Sequence, residues 1–200
     1  MEVPFNTTIF KSMKDQGKLT APVADWPTKR RWVTEAYENL ETAGYTITSA
    51  YTAVKNPQNT KFVYRDRLWA GADMVALGVA SFGHLGGIHY QNRTHFEQYC
   101  ESQESHSSAV RRALLTNDDE RFLREFILQW KLGRVNTSYF QKKFNVDVLK
   151  RFKIILNNWK KVGDLYEENG NLFLSMDALL RIDSMLHEFF LPQHQNAKYV

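Results

Sequence analysis

Cysteine is almost absent from this sequence: Cys100 is the only one in 200 residues. A single thiol excludes an internal disulfide and any Cys-x-x-Cys pair for zinc or redox work. It also excludes an iron–sulfur cluster held by this chain's own thiolates, because such clusters take several. Cys100 is therefore expected to be a structural or surface thiol, and the nearby His95 does not by sequence proximity alone make it a nucleophile. Long apolar runs are missing as well. No stretch approaches the roughly 20 residues of a membrane span, and the start of the chain has neither the basic residues nor the apolar segment of a secretory signal. A cytoplasmic protein with no membrane partner is expected. Charge of one sign is scarce: the formal net charge is +4 and the basic residues are scattered, a weak footing for nucleic-acid binding. The six histidines, His84, His89, His95, His106, His187 and His194, show no His-Glu-x-x-His spacing. Neither Gly-x-Ser-x-Gly, a phosphate loop nor Gly-x-Gly-x-x-Gly occurs. Nothing spells a self-contained hydrolase or kinase.

What is present is material for a core, with 43% hydrophobic and 14% aromatic residues, enough for one large or two small domains. Met1-Glu2-Val3-Pro4-Phe5-Asn6-Thr7 reads as a short strand that begins with no preceding loop or cap, like a cut end. Asp25-Trp26-Pro27 opens a helix with Trp32, Ala36, Tyr37 and Leu40 on one face, closed by Gly44. Tyr45 to Val54 alternates as a strand would, and Lys55 to Asn59 has turn chemistry. Trp69 to Gly87 reads as an apolar strand interrupted by glycines, which let a backbone approach a ligand or another strand closely. Residues 1–100 form the first unit and the Ser-rich stretch 101–116 a linker.

Residues 117–200 have a helical character. Asn117 and Glu120 have capping-box spacing, and Phe122, Leu123, Phe126, Ile127 and Trp130 form a stripe ending at Gly133. A short helix over 138–143 follows, then one from Asp147 that buries Val148, Leu149, Phe152, Ile155, Leu156 and Trp159. Asn169-Gly170 marks a hairpin between Leu165-Tyr166 and Leu172-Phe173-Leu174, and Ser175 caps a last helix. This order is that of a winged-helix-like domain. Its third helix carries Lys150, Arg151, Lys153, Lys160 and Lys161, the pattern of a nucleic-acid or protein interaction module. Glu167 and Glu168 in the wing, and the small net charge, favour a solvated face instead.

Several segments in register carry a family resemblance. They are the opening Met-Glu-Val-Pro-Phe-Asn-Thr, Gly44-Tyr45, Gly71-Ala72-Asp73, Leu77-Gly78-Val79-Ala80-Ser81-Phe82-Gly83, Tyr90-Gln91-Asn92, Arg124-Glu125, Lys131 to Val135, and Phe189-Phe190. The chain resembles the rear part of the oxygen-independent coproporphyrinogen III oxidases, radical S-adenosylmethionine enzymes of anaerobic haem synthesis. The resemblance implies an α/β fold: the rear of an open, TIM-type partial barrel followed by the winged-helix-like domain. It implies a parent holding a [4Fe–4S] cluster on a three-cysteine loop that is absent here. That parent binds S-adenosylmethionine and a tetrapyrrole and oxidatively decarboxylates propionate side chains. Relatives act as haem chaperones, methylate, or open haem. Phe82, flanked by Ser81 and Gly83, would lie against S-adenosylmethionine, and Glu2 would line the same cofactor. Alone the chain would be inactive, with no catalytic or metal-ligating residue of its own. The barrel edge beside Met1 to Thr7 would favour self-association.

Overall fold

The computed structural model describes residues 8–17 and 24–194, with side chains from residue 11 onward. The expected opening strand, its exposed edge and Glu2 lie outside the described residues. Helix α1 spans Thr8–Asp15 and α2 spans Trp26–Thr42. Asp25 caps α2 by accepting the Thr28 amide at 2.8 Å, and Gly44 follows with φ +83°. The expected apolar face of α2 is only partly covered. Tyr37 and Leu40 are half-buried, and Tyr37 donates to the Ala50 carbonyl at 2.8 Å, but Trp32 and Ala36 stay exposed.

The predicted single strand over Tyr45 to Val54 is a tight hairpin, β1 (Thr46–Ser49) and β2 (Thr52–Val54). Two contacts fix the turn: Ser49 Oγ accepts the Tyr51 amide at 3.2 Å, and the Ala50 amide donates to the Lys131 carbonyl at 2.9 Å. The second contact is tertiary, so local alternation could not announce it. After the expected loop comes α3 (Val63–Trp69). The predicted apolar strand from Trp69 to Gly87 resolves into an irregular segment and two strands, β3 (Phe82–Leu85) and β4 (Ile88–Asn92). Helix α4 (Phe96–Glu104) and β5 (Val110–Leu115) follow. The stretch expected as a linker thus carries the end of a helix and a strand paired antiparallel along β4, giving the sheet order β3-β4-β5. All six residues of β5 are exposed, and an edge strand with no buried face shows no period-2 pattern.

From Asn117 most elements fall where the sequence places them, with an unexpected strand and two interrupted helices. Helix α5 (Asp118–Trp130) starts with a complete capping box between Asn117 and Glu120. Strand β6 (Arg134–Asn136), α6 (Thr137–Phe144), α7 (Val148–Arg151), α8 (Lys153–Lys161), β7 (Leu165–Glu168) and β8 (Asn171–Leu174) follow. The sheet order is β6-β8-β7. Asn169 and Gly170 both have positive φ, as a two-residue hairpin turn requires. The long helix expected from Asp147 is interrupted at Phe152, and the last one divides at Arg181 into α9 (Met176–Leu180) and α10 (Ile182–Met185) before a 3-10 turn at Leu186–Phe189. Phe126 is the centre of the core. Its ring packs 4.9 Å from Phe152, 5.0 Å from Phe189 and 5.3 Å from Phe140, and such pairs contribute about 0.5–1.5 kcal/mol beyond the area they bury.

Polar joints tie the first region to this core. Buried Glu125 accepts from Lys143 Nζ at 2.8 Å and from Tyr139 OH at 2.6 Å, and Lys143 also reaches the Ala70 carbonyl at the end of α3 at 3.0 Å. A Cβ at Gly71, where φ is +85°, would lie 1.8 Å from Glu125 Oε1, so only glycine admits this approach. Burial pulls the Lys143 ammonium down, but its bonds to Glu125 and Tyr139 outweigh that and hold it above its usual pKa. At the hairpin tip Tyr51 donates to Asp183 at 2.6 Å, and Lys131 pairs with the same carboxylate at 2.9 Å.

Candidate functional site

Strands β3 and β4 turn back on each other at Gly86 and Gly87, with φ of +57° and +80°. Phe82 then faces Gln91, Gly83 faces Tyr90, and His84 faces His89. Before β3 the chain runs irregularly from Ala72 to Ser81, bridged to the sheet at Met74 and His84. Backbone groups outside a ladder need other partners, and here four of them find β4 side chains. Tyr90 OH accepts the Ala76 amide at 2.9 Å. Asn92 Nδ2 donates to the carbonyls of Ala76 at 3.3 Å and Gly78 at 3.0 Å, and Gln91 Nε2 donates to that of Ala80 at 3.1 Å. Tyr99 from α4 accepts the Gly78 amide at 3.2 Å. Tyr90-Gln91-Asn92 is therefore a clamp on the segment that carries Leu77 to Phe82.

The clamp holds alternate residues. The side chains between them, Val75, Leu77 and Val79, are 62%, 82% and 39% exposed, and their amides bond no described residue. Beside this segment lies a cleft of about 550 Å³, walled by Tyr64, Arg67 and Leu68 of α3, by Asp73 to Leu77, and by Ser81 and Phe82. Phe82 is 48% exposed, and its ring is stacked on His89 at 5.8 Å. Ser81 Oγ donates to the Leu77 carbonyl at 2.6 Å, closing the turn that delivers Phe82.

Of the residues singled out from sequence, Ser81 and Phe82 thus line one cleft. Gly83 does not. A Cβ there would meet the Tyr90 ring at 2.3 Å, so the space left by the missing side chain is filled by the cross-strand tyrosine. Cys100 is half-buried in α4 and bonds no described residue. Among the described residues no group of three or more His, Cys, Asp or Glu side chains is placed to hold a metal, and no helix is long and apolar enough to cross a membrane. On the third-helix face, Arg151 forms a two-bond pair with Asp119 at 2.7 and 3.0 Å and lies over the Phe122 ring. Lys160 is paired with Glu167 at 2.5 Å. Two of the five basic side chains are thereby engaged within the protein.

Sequence reasoning missed a second feature on the same sheet. His84 and His89 sit side by side, ring centroids 6.0 Å apart, and burial and then the nearby Arg124 push both below the usual histidine pKa. Burial likewise pulls Arg124 down. A signal existed: in His84-Leu85-Gly86-Gly87-Ile88-His89 a two-glycine turn sets the histidines opposite each other. The approach of Arg124 from α5 is tertiary and left no local trace.

No protein-family model matches the sequence, and no curated protein matches it. Among solved structures, the chain is similar to coproporphyrinogen III oxidase (HemN) from Escherichia coli, a radical SAM enzyme, with a TM-score of 0.68 at 17% identity. The match covers 91% of this chain and 45% of that one. The chain therefore has a mixed α/β fold that it shares, over nearly all its length, with less than half of that enzyme.

Proposed function

We propose that this chain is the rear portion of a radical S-adenosylmethionine enzyme of the coproporphyrinogen III oxidase type, inactive by itself, in the cytoplasm. In this reading residues 1–100 supply the closing part of an open barrel and its sheet extension, with β5 added to that unit, and residues 117–200 form a winged-helix-like domain. The fold likeness over 91% of the chain carries the proposal. It is supported by the clamped segment, which offers Phe82, Val75 and Leu77 to a cleft with little of this chain's own core behind them.

The residues present suit part of the cofactor set and not the rest. An aromatic ring beside a cleft of about 550 Å³ suits the adenosine of S-adenosylmethionine, with Phe82 as the contact and Ser81 shaping its approach. Glu2 is proposed on the resemblance alone, and Gly83 acts through Tyr90. The [4Fe–4S] cluster does not fit, since Cys100 is the sole thiol. When bound in a complete enzyme, the cofactor pair supplies the oxidising chemistry. What this chain does is bind and orient: Tyr90, Gln91 and Asn92 hold the loop, and Phe82 presents its ring. The parent's substrate is a tetrapyrrole bearing propionates. The chaperone and methylating relatives share this frame, and their choice of reaction rests partly on residues outside this chain.

Anaerobic incubation of the chain with iron, sulfide and S-adenosylmethionine is expected to yield no cluster absorbance and no deoxyadenosine. A stoichiometric cluster overturns the proposal. The exposed apolar surface also supports self-association of the isolated chain, which a monomer in sedimentation analysis would contradict. For the winged-helix-like unit a nucleic-acid role has less support, because Arg151 and Lys160 are spent on Asp119 and Glu167.

A further inference from the structure

A groove of about 370 Å³ separates the β4–β5 face from α5 and residues 190–194. His89, stacked on the Phe82 ring of the first cleft, lines this groove, and its chemistry is independent of any cofactor bound in that cleft. Leu123, Ile127 and Leu128 of α5, Leu114 of β5, and Phe190 and Leu191 give it apolar walls, and its size is that of a small-molecule site. His89 and Arg124 also line it.

Among the described residues, neither side chain has a hydrogen-bond partner. The half-buried Arg124 side chain makes no hydrogen bond or ion pair with a described residue, and Glu125 and Asp73 act on it only through their charge. The nearby acids are committed elsewhere: Glu125 to Lys143 and Tyr139, and Asp73 to the Gly86 amide at 3.1 Å. Glu120, in the groove itself, accepts from the Asn117 amide at 3.0 Å and lies 3.2 Å from His194. His84 is 4% exposed, and the buried Nδ1 atoms of His84 and His89 bond no described residue. Folded proteins answer nearly all such groups, and a guanidinium answers best to the two oxygens of a carboxylate. The missing complement is one negative charge on an apolar body.

We propose that this groove binds an apolar monocarboxylic acid, its carboxylate on Arg124 beside the His89 ring and its hydrocarbon portion along Leu123, Ile127, Leu128 and Phe190. His84, behind His89, positions that ring.

Calorimetric titration of the chain with octanoate, octanol and acetate tests the proposal. Octanoate binds saturably at one site, with octanol and acetate each about 10-fold weaker or more, the scale of one charged hydrogen-bonding pair. Arg124→Gln weakens octanoate about 10-fold while keeping the unfolding midpoint. Should that variant fail to fold, Leu128→Phe, which fills the groove from a half-buried position, abolishes octanoate binding in a folded chain. Absence of saturable octanoate binding, octanol or acetate binding as tightly as octanoate, or unchanged affinity in both variants would overturn the proposal.

Discussion

Residues 24–116 and residues 117–190 are both rich in apolar side chains, yet they use them in opposite ways. Of the 20 buried hydrophobic residues described, 19 lie between Phe122 and Phe189, and Val54 is the exception. The large apolar residues left exposed show the reverse bias, running from Trp26 through Val75, Leu77 and Phe82 to Leu115, with four beyond Thr116. In the first region the buried side chains are mostly polar, Ser49, His84, Gln91, Asn92 and Ser102. Gln91 and Asn92 among them hold the segment before β3. Since burial of apolar surface is the main favourable term in folding, the second region supplies its own stability. The first is a shell fastened to it by Glu125, Lys143, Tyr51 and Asp183, with its apolar face turned outward. Such a face is open to a partner, in keeping with the proposal that the chain is the rear portion of a larger enzyme.

Mutations can break the comparison. Phe126→Ala should cost about 3–5 kcal/mol in urea unfolding, because it opens a cavity at the centre of the aromatic cluster. Leu77→Ala, at an 82% exposed position, should stay within about 0.5 kcal/mol. A comparable loss at both positions would mean that the first region has a core of its own. Lys143→Met tests the joint. It leaves the Glu125 carboxylate, 7% exposed, without its cation, for an expected loss of about 2–3 kcal/mol. Exchange should quicken first in the segment after α3.

Smaller effects sharpen the contrast. Tyr90→Phe removes the acceptor of the Ala76 amide and should cost about 1 kcal/mol, read as faster exchange at Ala76 with the midpoint of residues 117–190 unmoved. A pH-dependent effect comes from protonation of His84 and His89. Both are held below the ordinary value of 6.5, by burial first and Arg124 second, with Asp73 opposing and Arg121 adding at His84. The unfolded chain therefore takes up these protons at higher pH than the folded one. Stability should fall as pH drops through 6.5 toward the depressed values and level off below them. Replacing both with Gln should flatten the unfolding midpoint between about pH 7.5 and 5.

The same contrast explains what the sequence disclosed. In residues 117–190 the capping box at Asn117, the stripe from Phe122 to Trp130 and the Asn169-Gly170 turn all serve a core built of neighbouring elements, so period and turn chemistry placed them. What failed there was continuity, at Phe152 and Arg181, where the helices are interrupted. In residues 24–116 the strands answer to partners far along the sequence. Ala50 turns because its amide meets Lys131, and β5 pairs along β4 with no buried face to imprint a period. At the candidate site, Phe82 and Ser81 were legible as part of a glycine-rich run. That Gly83 makes room for Tyr90, and that Tyr90-Gln91-Asn92 clamps the loop, depends on cross-strand register that the residues alone did not reveal.

Native-state hydrogen exchange of the isolated chain tests the division most directly. Amides of α5 and α8, such as those of Phe126 and Leu156, are expected to exchange only through global unfolding, while those of β3, β4 and β5 exchange through openings of much lower free energy. Equal protection at Gln91 and Phe126 would contradict the division.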